Sequence, residues 1–209
     1  MKVLIACETS GTVRDAFDNE GHDAWSCDIL PADTPTNKHI QDDVRNVLTM
    51  DDWDLLMVAH PPCTRLCNSG VRWLHKAPPG KTLEDMWREL DEGAKLFSEL
   101  WNADIPHVAV ENPIMHKYAK ERIVNFEKAT QTFQPWEFGN DEKGEDNVKK
   151  RTCLWLRGLP KLKATGTLDG STARDDIHKA PRTPDRWKIR SKFFPGVAKA
   201  MAQQWGAVA

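Results

Sequence analysis

The opening stretch KVLIACETSGTVRDAFDNEGHDAWSCD, residues 2–28, carries the pattern from which the rest of the fold follows. Val3–Cys7 is an apolar run too short for helical periodicity, so it predicts a buried strand. The polar turn Glu8–Gly11 contains one glycine, and apolar residues then recur at helical spacing. His22–Cys27 predicts a second strand with Asp28 at its carboxyl end. This order is typical of the start of a nucleotide-binding α/β sheet, although the G-x-G-x-x-G pattern is absent.

The alternation of strands and helices continues along the chain. Asp54–Ala59 and His107–Val110 predict buried strands, and the spacing of apolar residues predicts a long amphipathic helix over Leu83–Trp101 with Thr82 as its N-cap. Further elements are predicted at Met115–Val124 (helix), Cys153–Leu156 (strand) and Gly196–Trp205 (helix). Alternating strands and helices indicate an α/β fold with a doubly wound, mostly parallel, Rossmann-like sheet.

Three polar clusters follow three of the predicted strands: Glu8–Gly11, His60–Cys63 and Glu111–Pro113. In open α/β sheets, ligands bind at the carboxyl ends of the strands. We therefore expect the three clusters to meet at one edge of the sheet and to form a site there.

The composition excludes several classes of protein. With 209 residues, 40% hydrophobic and 29% charged, the chain is expected to form a soluble globular domain that needs no disulfides or structural metal. No apolar run approaches the roughly 20 residues of a membrane span, and Glu8 interrupts the N-terminus too early for a signal-peptide core. Five irregularly spaced cysteines do not form a disulfide framework. A reducing cytoplasm is the expected compartment.

The net charge of −2 conceals an uneven distribution. Residues 143–209 carry a net charge of +9, whereas residues 1–142 carry −11. This asymmetry favours one basic face that binds a polyanion, and the alternative is an ordinary charged surface. The nine tryptophans are expected mainly in the core, with one or two able to stack on a base.

Cys63 and Glu111 are the residues best suited to chemistry. Pro61 and Pro62 restrict the backbone immediately before Cys63, and Arg65 is a cation that could lower the pKa of its thiol. Glu111 ends an apolar strand, where desolvation raises the pKa of a carboxyl and suits it to donate a proton. The structural alternatives are a small buried cysteine and a carboxylate that caps the next helix.

These motifs resemble those of the cytosine-5 DNA methyltransferases, and more closely the short, phage-type proteins usually described as such. The family's Pro-Pro-Cys loop has a glycine seven residues after the cysteine, which here is Gly70, and its Glu-Asn-Val is matched by Glu111-Asn112, with Pro113 in place of valine. Phe194–Val197 resembles the start of the last family motif, which packs beside the cofactor. The resemblance covers about residues 1–158 and 190–206.

The resemblance implies methyl transfer from S-adenosylmethionine to carbon 5 of cytosine in DNA, with no metal. Cys63 would attack carbon 6, Glu111 would act at N3, and Arg151 would hold the base carbonyl or steady Glu111; a duplex target would first be flipped out. The implied cofactor-binding residues are Glu8, Thr9, Ser10, Gly11, Asp28, Ile29, Asp43, Val44, Pro61 and Val197. The implied substrate-binding residues are Pro62, Asn68, Ser69, Gly70, Asn112, Lys161, Lys163, Arg182 and Arg186.

The chain is then expected to consist of a cofactor-binding and catalytic domain (1–158), a reduced, basic target-contact region (159–188) and a C-terminal helix that packs back on the domain (189–209). It departs from the family in three places: Cys153 stands at the second arginine position, the first motif lacks its second glycine, and the target-recognition region is only about 30 residues long. The expected partner is single- or double-stranded DNA in a bacterial or phage-infected cytoplasm. The target is therefore a short site, a single strand or a free nucleotide.

Two alternatives belong to other functional classes. His60, Cys63, Cys67 and His75 are possible zinc ligands, but their spacing matches no common finger, and Cys67 falls where the family usually has serine. A catalytically silent nucleic-acid-binding module would not need both Cys63 and Glu111. An RNA or nucleotide-level cytosine-modifying enzyme of the same fold is the alternative within the enzyme class.

Overall fold

The computed structural model describes residues 1–59, 61–181, 183 and 186–208, without the side chains of His178 and Trp187. Within this part of the chain one sheet contains seven strands: β1 (Lys2–Ala6), β2 (Asp23–Asp28), β3 (His39–Gln41), β4 (Leu55–Val58), β5 (His107–Asn112), β6 (Gln131–Phe133) and β7 (Thr152–Arg157). The α-helices are α1 (Thr12–Asn19), α2 (Val44–Val47), α3 (Leu83–Trp101), α4 (Lys117–Lys120), α5 (Asp176–Lys179), α6 (Arg186–Ser191) and α7 (Pro195–Trp205). Asn68–Leu74 and Pro135–Phe138 form 3-10 helices.

The strand order is β3-β2-β1-β4-β5-β7-β6. Strands β1 to β5 pair in parallel, and β7 runs antiparallel to both β5 and β6. The chain builds outward from β1 to β3 on one side and then resumes with β4 on the other, so a topological switch point lies between β1 and β4. The predicted α/β fold, a doubly wound, mostly parallel, Rossmann-like sheet, is confirmed.

Helices cover both faces of the sheet. The α3 helix packs on one face, where Phe97 and Trp155 meet edge to face with ring centroids 5.3 Å apart. The α1 and α7 helices pack on the other face, around the fully buried Phe17 and Trp205. Burial on both faces explains why the central strands read as continuous apolar runs.

The boundaries of the strongest elements agree with the sequence pattern. The hydroxyl of Thr82 accepts a hydrogen bond from the Asp85 N–H at 3.1 Å, and the Asp85 carboxylate accepts one from the Thr82 N–H at 2.9 Å. This capping box begins α3 where predicted. The weaker elements differ: β3 and β6 were not predicted, because three residues carry too little periodicity, and the helix predicted over Met115–Val124 is only Lys117–Lys120.

The chain after β7 folds back along α7. Because β7 is antiparallel, the chain leaves it at the edge where β5 begins, and His107 Nδ1 lies 2.8 Å from the Gly158 carbonyl. The Trp205 indole then donates a hydrogen bond to the Pro160 carbonyl at 3.0 Å. Within the described residues no helix is long and apolar enough to cross a membrane.

Candidate active site

The loop after β4 presents Cys63 in a tight turn. The Cys63 carbonyl accepts hydrogen bonds from the N–H groups of Leu66 and Cys67, both at 3.0 Å. Gly70 packs directly against this turn, since a Cβ atom there would lie 1.9 Å from the Thr64 carbonyl oxygen. The glycine seven residues after Cys63 is therefore required by the packing of the loop itself.

This loop is fastened to the segment that follows β5. The Asn68 N–H donates to the Ile114 carbonyl at 2.9 Å, and the His116 N–H donates to the Leu66 carbonyl at 3.1 Å. The Arg65 guanidinium forms an ion pair with Glu89 of α3 at 2.7 Å. Arg65 is thus an anchor of the loop, and its charge is directed at Glu89 instead of the Cys63 thiol.

Glu111 lies at the inner end of the same site. The β4–β5 register pairs Val58 with Val110, so Glu111 follows at the carboxyl edge of the sheet. The side chain is only 5% exposed, and its Oε1 has no hydrogen-bond partner among the described residues. Burial raises the pKa of Glu111 to about 7. A carboxyl group with this pKa retains its proton in a large fraction of molecules at neutral pH and can donate it.

The cation of the site is Lys150, which the sequence did not single out. Its Nζ lies 3.4 Å from the Lys192 carbonyl and 5.3 Å above the Phe194 ring. The pKa of the Cys63 thiol is raised by the neighbouring Cys67 thiol and by burial, and burial raises the pKa of Glu111. The positive charge of Lys150 opposes both shifts, and burial lowers the pKa of Lys150 itself. A thiol, a carboxyl and an amine therefore share one site.

Arg151 occupies a different place from the one expected. It lines a separate depression of about 390 Å³ together with Ile114, Thr132, Phe133, Gln134 and Glu137. Successive residues of an extended chain point to opposite sides, and the β5–β7 register aligns Glu111 with Leu154. Residues 150, 152 and 154 consequently share a side with Glu111, whereas Arg151 does not. Lys150, not Arg151, therefore supplies the positive charge that acts on Glu111.

A cleft of about 890 Å³ opens beside this site at the carboxyl ends of β1 and β2. Four of the predicted cofactor-binding residues line it: Asp28, Ile29, Asp43 and Val44. Pro62 and Thr64 line it too, so the cleft adjoins the loop that carries Cys63. Asp28 Oδ1 accepts a hydrogen bond from the Leu30 N–H at 2.9 Å. The Asp43 carboxylate is held by Arg45, whose Nε lies 2.9 Å from Oδ1, and this contact lowers the pKa of Asp43.

The remaining predicted cofactor-binding residues lie away from the cleft lining. Glu8 is fully buried, and its carboxylate accepts hydrogen bonds from the N–H groups of Val13 at 2.7 Å and Arg14 at 3.2 Å. These hydrogen bonds satisfy two of the free N–H groups in the first turn of α1. Burial raises the pKa of Glu8. Glu8, Thr9, Ser10, Gly11, Pro61 and Val197 are not among the described residues that line the cleft, and Val197 is fully buried in the core beneath α7.

The predicted substrate residues are divided between two edges of the sheet. Asn68 and Ser69 are exposed beside Cys63, whereas Asn112 is buried and donates to the Pro113 carbonyl at 2.8 Å. Lys161 and Lys163 lie beside the C-terminal end of α7, where the Lys163 N–H donates to Gln204 at 2.8 Å. They are far from the carboxyl edge because antiparallel β7 leads the chain away from it. Arg186 begins α6, and Arg182 lies outside the described residues.

No group of three or more metal-ligating side chains occurs in the described part of the chain, and His60 lies outside that part. Residues 61–67 are instead organised by backbone hydrogen bonds and by the contacts of Cys67 with Ser69.

No family model matches this chain, and no curated protein is significantly similar to it. Among solved structures, the chain is similar to an Escherichia coli prophage protein that is described provisionally as a DNA modification methyltransferase. The identity is 12%, the TM-score is 0.41, and the alignment covers 74% of this chain and 45% of that one. This chain thus spans less than half the length of that protein. At this identity and TM-score the likeness carries no weight for function.

We expect Glu111→Gln to change how stability depends on pH. The pKa of Glu111 is about 7 in the folded protein against an ordinary value of 4.5. Between these pH values the folded state binds more protons than the unfolded state, so the wild type loses stability as pH rises through this range. Glutamine does not titrate. The free energy of unfolding of Glu111→Gln relative to wild type should therefore increase from pH 5 to pH 8, by up to about 3 kcal/mol.

Urea unfolding at pH 5, 6, 7 and 8 measures this difference, with exposed Glu121→Gln as the matched control. Parallel pH dependences for wild type and Glu111→Gln would show that Glu111 titrates like a solvated carboxyl.

Proposed function

We propose that the protein transfers a methyl group from S-adenosylmethionine to carbon 5 of cytosine through a covalent adduct with Cys63. The observation that carries the proposal is the juxtaposition of a half-buried thiol, a carboxyl with a raised pKa and a lysine ammonium, next to a nucleotide-sized cleft at the switch point of the sheet. Cytosine needs a nucleophile at carbon 6 and a proton donor at N3 at the same time. Cys63 and Glu111 supply these two functions.

The cleft suits an adenosyl cofactor in size and chemistry. Its volume of about 890 Å³ lies in the range of small-molecule sites. Asp28 ends β2, where an acidic residue accepts hydrogen bonds from ribose hydroxyls. Ile29 is 70% exposed and Val44 lies in the same wall, so apolar surface is available to a base. When bound, the cofactor supplies an electrophilic methyl group on its sulfonium.

Each protein group has a distinct task in the proposed reaction. The Cys63 thiol loses its proton to solvent and the thiolate bonds to carbon 6 while Glu111 donates a proton to N3, and the displaced electron pair makes carbon 5 nucleophilic. After methyl transfer, N3 returns its proton to Glu111 and carbon 5 gives its hydrogen as a proton to water. The C5–H electron pair re-forms the C5=C6 bond, and Cys63 leaves as a thiolate with the C6–S pair. The positive charge of Lys150 favours the ionised forms of Cys63 and Glu111 at the stages where each is needed.

With S-adenosylmethionine present, we predict that the wild type forms a denaturation-resistant adduct with DNA that contains 5-fluorocytosine. After methyl transfer, the fluorine on carbon 5 cannot leave as a cation, so elimination is blocked and the Cys63 bond persists. Cys63→Ser should form no adduct and lose methyl transfer, since a hydroxyl is a far weaker nucleophile. Binding of S-adenosylhomocysteine should persist in this variant. Denaturing electrophoresis with radiolabelled DNA measures the adduct.

The matched control is Cys153→Ser, which removes a thiol from β7 at a position paired with Thr132. An adduct that survives in Cys63→Ser, or methyl transfer retained there, would exclude the covalent mechanism. Glu111→Gln should lose several orders of magnitude in rate, because an amide has no proton of suitable acidity for N3.

We propose DNA as the substrate, with α6 as its contact. The Lys150 Nζ lies 3.4 Å from the carbonyl of Lys192, the residue after the last one of α6, so this helix lies beside the site. Arg186, Lys188 and Arg190 form three cationic positions on six residues. Several cations of residues 143–209 form ion pairs within the protein, as in the Arg174–Asp176 pair at 2.8 Å and the Lys192–Glu145 pair at 2.8 Å. The number of phosphate contacts is therefore smaller than the charge of residues 143–209 suggests.

DNA affinity should fall with salt at a slope that corresponds to about three phosphate contacts, or roughly 0.9 log units per contact on a duplex. The triple variant Arg186→Ala/Lys188→Ala/Arg190→Ala should lose this slope. Lys161→Ala/Lys163→Ala should retain it, because those lysines lie at the other edge of the sheet. Filter binding of single- and double-stranded DNA and RNA against salt provides the measurement.

A parallel methyl-transfer assay on free dCMP separates the alternatives. Efficient methylation of dCMP with a flat salt response on DNA would identify a nucleotide-level enzyme. DNA binding without methyl transfer or adduct would identify a silent nucleic-acid-binding protein. Faster methylation of RNA than of DNA would identify RNA as the substrate.

A further inference from the structure

The depression that Arg151 lines lies where β5 and β6 end and antiparallel β7 begins. Ile114 follows β5, Gln134 follows β6 and Arg151 precedes β7, and all three belong to its lining. Its volume of about 390 Å³ is at the lower end of the range for small-molecule sites. The depression therefore suits a ligand of the size of one nucleobase, smaller than the ligand of the cleft beside Cys63.

The depression adjoins the loop that carries Cys63. Ile114 is 42% exposed, and its carbonyl accepts the hydrogen bond from the Asn68 N–H at 2.9 Å. Cys67 of the loop also pairs with Met115 as an isolated antiparallel bridge. Ile114 thus belongs both to the wall of the depression and to the contact with the Cys63 loop. The depression is therefore placed for a nucleotide close along a strand to one held at Cys63.

Two opposite charges line the depression without pairing with each other. Arg151 is exposed, and in the described part of the chain neither Arg151 nor Glu137 forms an ion pair. Glu137 Oε1 accepts a hydrogen bond from the Gln134 N–H at 2.9 Å, which fixes the side chain and leaves its second oxygen available. A ligand that brings both hydrogen-bond acceptors and donors can use the two groups together.

Apolar surface forms another part of the lining. Phe133 is 2% exposed and meets Phe138 edge to face with ring centroids 5.5 Å apart, so the core fixes its position. Gln134 Oε1 is buried and has no hydrogen-bond partner among the described residues. Apolar walls with a few polar groups are typical of a site that binds a small, flat molecule such as a base.

Among the four DNA bases, guanine matches this lining best. It presents two adjacent acceptors, O6 and N7, which an arginine binds through its planar fork. Its N1–H and N2–H groups are two adjacent donors, and the two oxygens of a carboxylate can accept both. Adenine and cytosine each offer one amino group, and thymine offers one N–H. Both guanine edges are free only when the base is unpaired.

We propose that this depression holds an unpaired guanine next to the target cytosine, with Arg151 at O6 and N7 and the Glu137 carboxylate at N1–H and N2–H. The assignment rests on the proposed function for the cytosine at Cys63. Guanine binding in the depression is a separate event that does not require methyl transfer. Arg151 and Glu137 determine specificity and take no part in the chemistry.

The test is the affinity of the full chain for fluorescein-labelled thymidine strands that contain one cytosine, measured by fluorescence anisotropy. Two strands carry guanine next to the cytosine, on its 5′ or its 3′ side, and a third carries adenine on both sides. Wild type should bind one guanine strand at least about tenfold more tightly than the adenine strand. Inosine, which lacks the N2 amino group, and 7-deazaguanine, which lacks N7, should each bind several-fold more weakly than guanine, and they test the same contacts in the unaltered protein.

Conservative variants separate base recognition from charge and from folding. Arg151→Lys keeps the positive charge without the planar fork, so it should lose the guanine preference while the salt dependence of binding is unchanged. Glu137→Gln keeps an oxygen for the Gln134 N–H and should also lose the preference. Exposed Glu121→Gln and Lys149→Ala are the matched controls and should retain it. A merely structural role for Arg151 or Glu137 would weaken binding to all strands equally.

Equal affinity for the guanine and adenine strands would overturn the inference, even if cytosine is methylated, and so would a preference that persists in either Arg151→Lys or Glu137→Gln. A guanine preference that needs both residues, in a protein that forms no 5-fluorocytosine adduct, would support the guanine subsite and refute the proposed function. Free dGMP that binds as tightly as the guanine strands would assign the depression to a mononucleotide and overturn a subsite for a strand.

Discussion

The parallel pairing of β4 with β1 on one side and with β5 on the other is the constraint on which the site depends. It brings the ends of three strands to one edge, so that the chain after β4 carries Cys63, the end of β5 carries Glu111, and the cleft opens beside them. Hydrogen bonds between the Cys63 loop and residues 114–116 then hold the thiol and the carboxyl in one unit. Lys150, two residues before antiparallel β7, adds the last group, because its charge acts on Glu111.

Burial of the Glu111 carboxyl and of the Lys150 side chain opposes folding. Glu111 is 5% exposed and its Oε1 has no hydrogen-bond partner among the described residues, so desolvation favours its neutral form. Desolvation also favours the neutral form of the partly buried Lys150, and the site retains the two groups beside each other. The same desolvation gives Glu111 a pKa suited to proton transfer near pH 7. Stability lost at this edge is offset by the apolar cores on the two faces of the sheet, which do not take part in the chemistry.

Long apolar runs and helical spacing made much of the fold predictable from the sequence. Features that depend on which residues face each other across paired strands could not be predicted. Strand β4 and helix α3 followed from run length and spacing, and the polar clusters at strand ends indicated where the site would form. The choice between Lys150 and Arg151 was not available from sequence, since it depends on which side of β7 faces Glu111. The sequence also did not reveal the surroundings of Glu8, whose carboxylate turns inward and accepts hydrogen bonds from the N–H groups of Val13 and Arg14. Lys161 and Lys163 were grouped with Arg186 by composition, although the direction of β7 separates them.

The central claim is that the switch-point cleft holds the methyl donor next to Cys63, and calorimetric binding of S-adenosylhomocysteine tests it most directly. Asp28 ends β2 and lines the cleft, and we propose that it accepts the ribose hydroxyls, whereas exposed Asp52 precedes β4 at the opposite edge of the sheet. We predict saturable binding to wild type and Asp52→Ala, and at least about tenfold weaker binding to Asp28→Ala, the equivalent of one good hydrogen-bonded contact. Equal affinity for wild type and Asp28→Ala, or no binding at all, would contradict the account.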